Sequence, residues 1–211
     1  MTVNEVTEKL NDFSIVNKNN LSLVMLGGSR GCGYADEDSD YDLNFYSDND
    51  FGKWESCFDS YGYVQIKRNI VHWYLHSSDI SHSIDSTEIF FYSKIPLYGP
   101  KCFYPCNKKG EILMNLFLKN SDDISIFYLR TFFNLYSIEN QNYPKKWNYG
   151  LALLANHFKC VDFSREEISS IKEEKSFSLN KNPLLFAALE NLKKFILSQD
   201  EFSLSDRLWK Q

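Results

Sequence analysis

Two aspartates one residue apart, Asp40 and Asp42, stand where a polar loop gives way to the hydrophobic run "YDLNFYS". In an extended chain alternate residues share a face, so both carboxylates leave one side while Tyr41 and Leu43 leave the other. Neighbouring anions repel, and each favours its protonated form unless a cation compensates it. A divalent ion is the natural occupant of such a pair, and oxygen donors favour magnesium or manganese. Upstream, the run "LSLVML" stops at Gly27-Gly28. The double glycine lets the backbone approach a ligand closely, and its amides, the Ser29 hydroxyl and the Arg30 charge are suited to phosphate oxygens. Anion donors on one side and metal ligands on the other are the equipment of phosphoryl or nucleotidyl transfer. Asp36, Glu37 and Asp38, between the two, read as a solvated acidic loop.

Other candidates are more scattered. In "IVHWYLHS" alternation puts His72, Tyr74 and His76 on one face of a strand and Val71, Trp73 and Leu75 on the other. Lys145 and Lys146 follow Pro144 at a helix start, where cations oppose the macrodipole, so helix stability does not explain them. They either reach a triphosphate or an anionic acceptor, or stand in solvent beside a core Trp147. Five cysteines (Cys32, Cys57, Cys102, Cys106 and Cys160) are an odd number and suggest reduced thiols; "CFYPC" has no second pair at zinc-ligand spacing.

The elements that must position these groups follow from periodicity. The chain has 211 residues, 43% of them hydrophobic and 16% aromatic, enough for a proper core. Its net charge of −5 argues against a whole-molecule grip on long nucleic acid, and a nucleotide-sized partner fits better. The N-terminus lacks a basic segment followed by an apolar run, and no stretch approaches bilayer length, so a soluble cytoplasmic protein with no membrane partner is expected. The pattern predicts a helix over 3–14, strands at 21–26 and 41–47, a helical stretch at 50–62 carrying Phe51, Trp54 and Phe58, and strands at 63–69 and 70–77 forming a hairpin. Beyond Gly99-Pro100 apolar residues recur at steps of three and four, predicting helices at 108–119, 122–140, 145–160, 165–174 and 182–198. The expectation is an α+β chain: a mixed sheet with flanking helices over residues 1–100, a helical bundle over 101–211, and a ligand cleft between them.

The stretch "GGSRGCGYADEDSDYDL" resembles the strand-turn-helix-strand signature of the DNA polymerase beta-like nucleotidyltransferase superfamily, through Gly28, Ser29, Gly33, Ser39, Asp40, Asp42 and Leu43. It is similar in particular to the small bacterial members, which include aminoglycoside and lincosamide adenylyltransferases and the minimal nucleotidyltransferases of toxin–antitoxin pairs. The resemblance is close over this stretch, loose over the α/β half and silent on the helical half. It implies a Mg2+- or Mn2+-dependent enzyme moving a nucleoside monophosphate, AMP from ATP foremost, onto a hydroxyl of a small molecule such as an antibiotic, a protein toxin or RNA. Asp40 and Asp42 would hold the metals; Gly28 and Ser29 would hold the triphosphate, with Arg30 and Lys145 as further phosphate candidates. Long DNA is not expected as a partner, and a homodimer is compatible.

The family pattern also implies a third carboxylate on a later strand, and "IVHWYLHS" contains none. His72 stands where that acid is expected, as a metal ligand or a base; Asp79, Asp85 and Glu88 are the other sources. Without a third group the alternative is a nucleotide-binding or partner-binding module that performs no chemistry.

Overall fold

The structure is a computed structural model that describes residues 1–31, 33, 35–47, 61–77, 100–119, 121–122, 125–126, 129–130, 132–133, 144–173 and 182–199. The helical stretch expected at 50–62 lies almost wholly outside these residues, as do Asp79, Asp85 and Glu88. The chain divides into two compact units, Met1–Ile124 with Leu204–Gln211, and Ser125–Ser203.

The first unit is built on a five-stranded mixed sheet. Its strands are β1 (Leu21–Gly27), β2 (Tyr41–Ser47), β3 (Tyr61–Ile66), β4 (Asn69–Ser77) and β5 (Phe103–Pro105), in the spatial order β3-β4-β2-β1-β5. Only the β2–β4 pair is parallel; the other three are antiparallel. Helix α1 (Val3–Asp12) starts at a capping box, with the Thr2 hydroxyl accepting from the Glu5 amide and the Glu5 carboxylate accepting from the Thr2 amide. Its stripe of Val3, Val6 and Leu10 closes a core with Val24, Leu43, Phe45 and Val71 of the sheet, against which Leu26, Trp73 and Leu75 also pack. One face of the sheet is thereby covered, and burying each such side chain stabilises by roughly 1.5–3 kcal/mol.

On the opposite face, helix α3 (Lys108–Lys119) covers the end of the sheet near β5. Phe117 packs against Tyr46 and Phe103 with ring centroids 5.6 and 6.0 Å apart. Gly110 allows this approach, because a Cβ there would fall 1.7 Å from the Ser22 carbonyl oxygen of β1. Periodicity alone puts a domain boundary near Gly99-Pro100. In the structure β5 pairs with β1 and leads straight into α3, so both belong with the sheet and the division falls after Ile124.

The second unit is helical in its described parts. Helices α4 (Pro144–His157), α5 (Arg165–Glu173) and α6 (Pro183–Leu197) pack around Trp147, Leu151, Leu154, Ile168, Leu185 and Leu192, with α4 against both of the others. Asn182 caps α6 ahead of Pro183, its side chain accepting from the Leu185 amide at 3.1 Å. Trp147, expected in the core, packs against Phe132 with ring centroids 5.1 Å apart and planes tilted 57°, and is 1% exposed. Among the described residues no helix is long and apolar enough to cross a membrane.

Candidate functional site

Helix α2 (Gly28–Gly31) is a single turn that follows β1 directly, and Gly28 begins it at φ +62°. That conformation favours glycine. Space demands it too: a Cβ at residue 28 would fall 1.7 Å from Asp42 Oδ2 and 2.7 Å from its Cγ. The Asp42 carboxylate therefore lies directly on the glycine turn, as the antiparallel pairing of Gly27 with Asp42 requires. The alternation expected of this segment holds: Tyr41 and Leu43 are in the α1-covered core.

His72 joins them through register. In the parallel β2–β4 pair its Cα partner is Asp42, and its Nε2 lies 3.7 Å from Asp40 Oδ2. Tyr63 on β3 pairs in turn with His72. A row of paired positions therefore crosses four strands on the face opposite α1, running Gly27, Asp42, His72, Tyr63. The imidazole is 26% and the Asp40 side chain 47% exposed, so this end of the face is open to solvent.

The loop delivering Asp40 is held more firmly than its acidic composition suggests. The Ser39 hydroxyl donates to Asp36 Oδ1 at 2.7 Å and accepts from the Asp36 amide at 3.0 Å, closing a tight turn. Arg30 donates through Nε and an Nη to the Ser39 carbonyl at 3.1 and 2.7 Å and through that Nη to the Glu37 carbonyl at 3.1 Å, while its guanidinium lies 4.0 Å above the Tyr41 ring. The Asn69 side-chain amide donates to the same two carbonyls at 3.1 and 3.2 Å. From the hairpin tip, Arg68 contacts Glu37 at 2.9 Å and Asp38 at 3.5 Å. The hydrogen bond and charge of Glu37, with the charge of Asp38, raise the Arg68 pKa. Behind the turn the Cys102 thiol donates to the Gly31 carbonyl at 3.2 Å.

No family model and no curated protein matches the chain. Any reading of the site therefore rests on its own chemistry. Five of the residues singled out from sequence, Gly28, Ser29, Asp40, Asp42 and His72, meet at the end of the sheet. Arg30, expected from sequence as a phosphate candidate, is there as well, and its guanidinium holds the 37–39 backbone and lies over Tyr41, so it also positions the loop that carries Asp40. Glu37 and Asp38 are exposed, as a solvated loop should be, but engaged with Arg68. Lys145 lies in the first turn of α4 in the other unit, and its side chain is outside the described residues.

Two carboxylates and an imidazole are hard-to-intermediate donors that suit magnesium or manganese in kind. No group of three His, Cys, Asp or Glu side chains among the described residues forms a metal-holding set. A cation that takes one or two carboxylates from protein and the rest of its ligands from substrate phosphates and water needs none. The contact of Asp42 with Gly28 strengthens the fit, since a phosphate on this turn would meet a carboxylate and requires positive charge between them. Sequence reasoning missed Asn69, Arg68 and Tyr63. Nothing in their types marks them out; only the strand register, which pairs positions far apart in the chain, brings them to the site.

Proposed function

We propose that the chain is a divalent-metal-dependent nucleotidyltransferase of the DNA polymerase beta-like type, moving a nucleoside monophosphate, AMP from ATP foremost, to a hydroxyl acceptor. The observation that carries this reading is the Asp42 carboxylate packed on the Gly28 turn with Asp40 beside it and His72 in register. The mixed sheet, the order strand, glycine turn, short helix, strand, and the helical second unit agree with it. Asp40 and Asp42 would be the metal ligands, and Gly28 and Ser29 would orient the β- and γ-phosphates. A cation bound there would neutralise charge on the phosphates and on the leaving pyrophosphate.

In the transfer, the acceptor oxygen bonds to the α-phosphorus as the α–β phosphoanhydride bond breaks. Pyrophosphate leaves with that bonding pair, and the hydroxyl proton passes to a base. His72, whose Nε2 lies 3.7 Å from Asp40 Oδ2 on the same open side, would take the proton, and Asp40 would hold the imidazolium that results.

A second reading, a nucleotide-binding or partner-binding module without chemistry, is favoured by one observation: β4 carries an imidazole where a third carboxylate is expected. Titration of Mn2+ and of Mg-ATP into wild type and the double variant Asp40→Asn/Asp42→Asn separates the cases when followed by a pyrophosphate-release screen over hydroxyl acceptors. The double variant should keep its fold, be unchanged or slightly more stable because carboxylate repulsion is relieved, and lose metal-dependent ATP binding. Equal Mg-ATP affinity in both proteins would defeat the metal assignment; binding without pyrophosphate release by any acceptor would favour the module.

A further inference from the structure

The row of paired positions that ends at Gly27 continues on the far side of β1. In the antiparallel β1–β5 pair Leu23 stands opposite Pro105, Val24 opposite Tyr104 and Met25 opposite Phe103. Two further steps of that register bring residue 101 level with Gly27, so the glycine turn has Asp42 on one flank and Lys101 on the other. Lys101 is the middle residue of a short helical turn, Pro100–Cys102, that lies against β1. The two residues after it are pinned: the buried Cys102 donates its thiol to the Gly31 carbonyl at 3.2 Å, at the end of α2, and Phe103 stacks on Phe117 of α3. Lys101 itself is exposed and forms no ion pair with a described residue, whereas Arg30 and Arg68 are both committed to the 37–39 loop. We propose that Lys101 is a phosphate-binding residue, its ammonium meeting the β- and γ-phosphates on the Gly28-Ser29 turn from the side away from the metal ligands. This rests on the nucleotidyl-transfer reading.

Charge balance is the reason for a cation on that flank. A triphosphate on the turn is a strong anion set beside the Asp42 carboxylate, and a metal held by Asp40 and Asp42 compensates it from the β2 side alone. On the β5 side the turn itself offers only backbone amides and the Ser29 hydroxyl, and residue 101 is a position from which a full positive charge reaches the same phosphates. Lysine suits the place: it is a compact point charge on a flexible four-carbon stem, and that stem is longer than the spacing of about 4.8 Å between neighbouring strands. The thiol bond from Cys102 to the last carbonyl of α2 ties the lysine's backbone to the phosphate turn, so the two keep their spacing. As the α–β bond breaks, negative charge grows on the departing pyrophosphate, and a cation already fixed beside it stabilises that charge without reorganising. Unlike Lys145, this lysine belongs to the same unit as the turn.

The test titrates Mn-ATP, and Mn2+ alone, into the full chain as wild type and as three variants: Lys101→Gln, Lys101→Arg and, as a control beyond the other end of β5, Lys108→Gln, which alters another exposed lysine. Lys101→Gln should bind Mn-ATP roughly fivefold to tenfold more weakly, as expected of one charged contact at an open site, and the difference should shrink as salt rises. Its affinity for Mn2+ alone should be no weaker than that of wild type. Lys101→Arg should recover most of the loss, and Lys108→Gln should match wild type. Unchanged Mn-ATP affinity in Lys101→Gln, an equal loss in Lys108→Gln, no recovery in Lys101→Arg, or a parallel loss of Mn2+ binding would each overturn the assignment of Lys101 to the phosphates. Failure of wild type to bind Mn-ATP would instead overturn nucleotidyl transfer, and the role of Lys101 with it.

Discussion

The contact between Gly28 and Asp42 joins backbone conformation to charge placement in one pair of residues. Gly28→Ala should cost the left-handed backbone penalty, roughly 1–2 kcal/mol for a residue with a Cβ, and in addition should push the carboxylate off the turn. Made in an Asp42→Ala background, the same change should cost only the backbone part, because the atoms 1.7 Å away are gone. Denaturant midpoints of the four proteins measure this coupling, and additive costs would show that Asp42 does not rest on the glycine. In the wild-type background, the proposed metal role of Asp42 makes the alanine lower Mn2+ affinity as well. If Ser29 holds a phosphate as proposed, Ser29→Ala removes one hydrogen bond and should weaken ATP binding by about 0.5–1.5 kcal/mol without changing Mn2+ binding; an unchanged ATP dissociation constant would remove the turn from the phosphate site.

Among the elements, the 36–39 turn and the β3–β4 hairpin form one assembly, and its parts differ in how firmly they hold. Asn69 is 6% exposed and donates to two carbonyls, so Asn69→Ala leaves buried acceptors short of a donor and should cost about 1–3 kcal/mol. Arg68 is exposed and its partners more so, and Arg68→Ala should leave thermal stability nearly unchanged, all the more at high salt. Metal affinity should follow the same order, falling clearly in Asn69→Ala and hardly in Arg68→Ala; the reverse order would mean that charge, not the buried amide, sets the loop. Much of this level could be read from residue order. Periodicity located α1, β1, β2, β4 and α3 to α6 within a few residues, and the alternation of Tyr41 and Leu43 against Asp40 and Asp42 was legible because one face is buried. The register was not legible. That Asp42 faces His72, or that three residues at Phe103–Pro105 form a fifth strand, depends on pairings between distant segments that no local pattern encodes. Arg30 is a related case: its charge beside a phosphate-type turn is legible, but only the fold shows that Nε and one Nη donate to two loop carbonyls and that the guanidinium lies over Tyr41.

At the scale of the whole molecule, every described carboxylate and imidazole of the site lies in the unit Met1–Ile124, whereas Lys145 lies in the other. The buried cluster of the first unit runs from Val3 to Val71, with Tyr104 packed against it, and on the other face Phe117 of α3 packs on Tyr46 and Phe103 near β5. A fragment of residues 1–124, the continuous part of this unit, should therefore unfold cooperatively and bind Mn2+ within about twofold of the full chain, the tolerance expected of independent sites. ATP is the discriminating ligand. If a cation of the helical unit reaches the triphosphate, the fragment binds ATP more weakly than the full chain, and Lys145→Ala in the full chain reproduces part of that loss with a marked salt dependence and no change in Mn2+ affinity. Equal ATP affinity in fragment and full chain would remove Lys145 from the phosphate site and leave the glycine turn as its protein component. Loss of Mn2+ binding in a folded fragment would mean that a ligand outside residues 1–124 completes the metal site alongside Asp40 and Asp42.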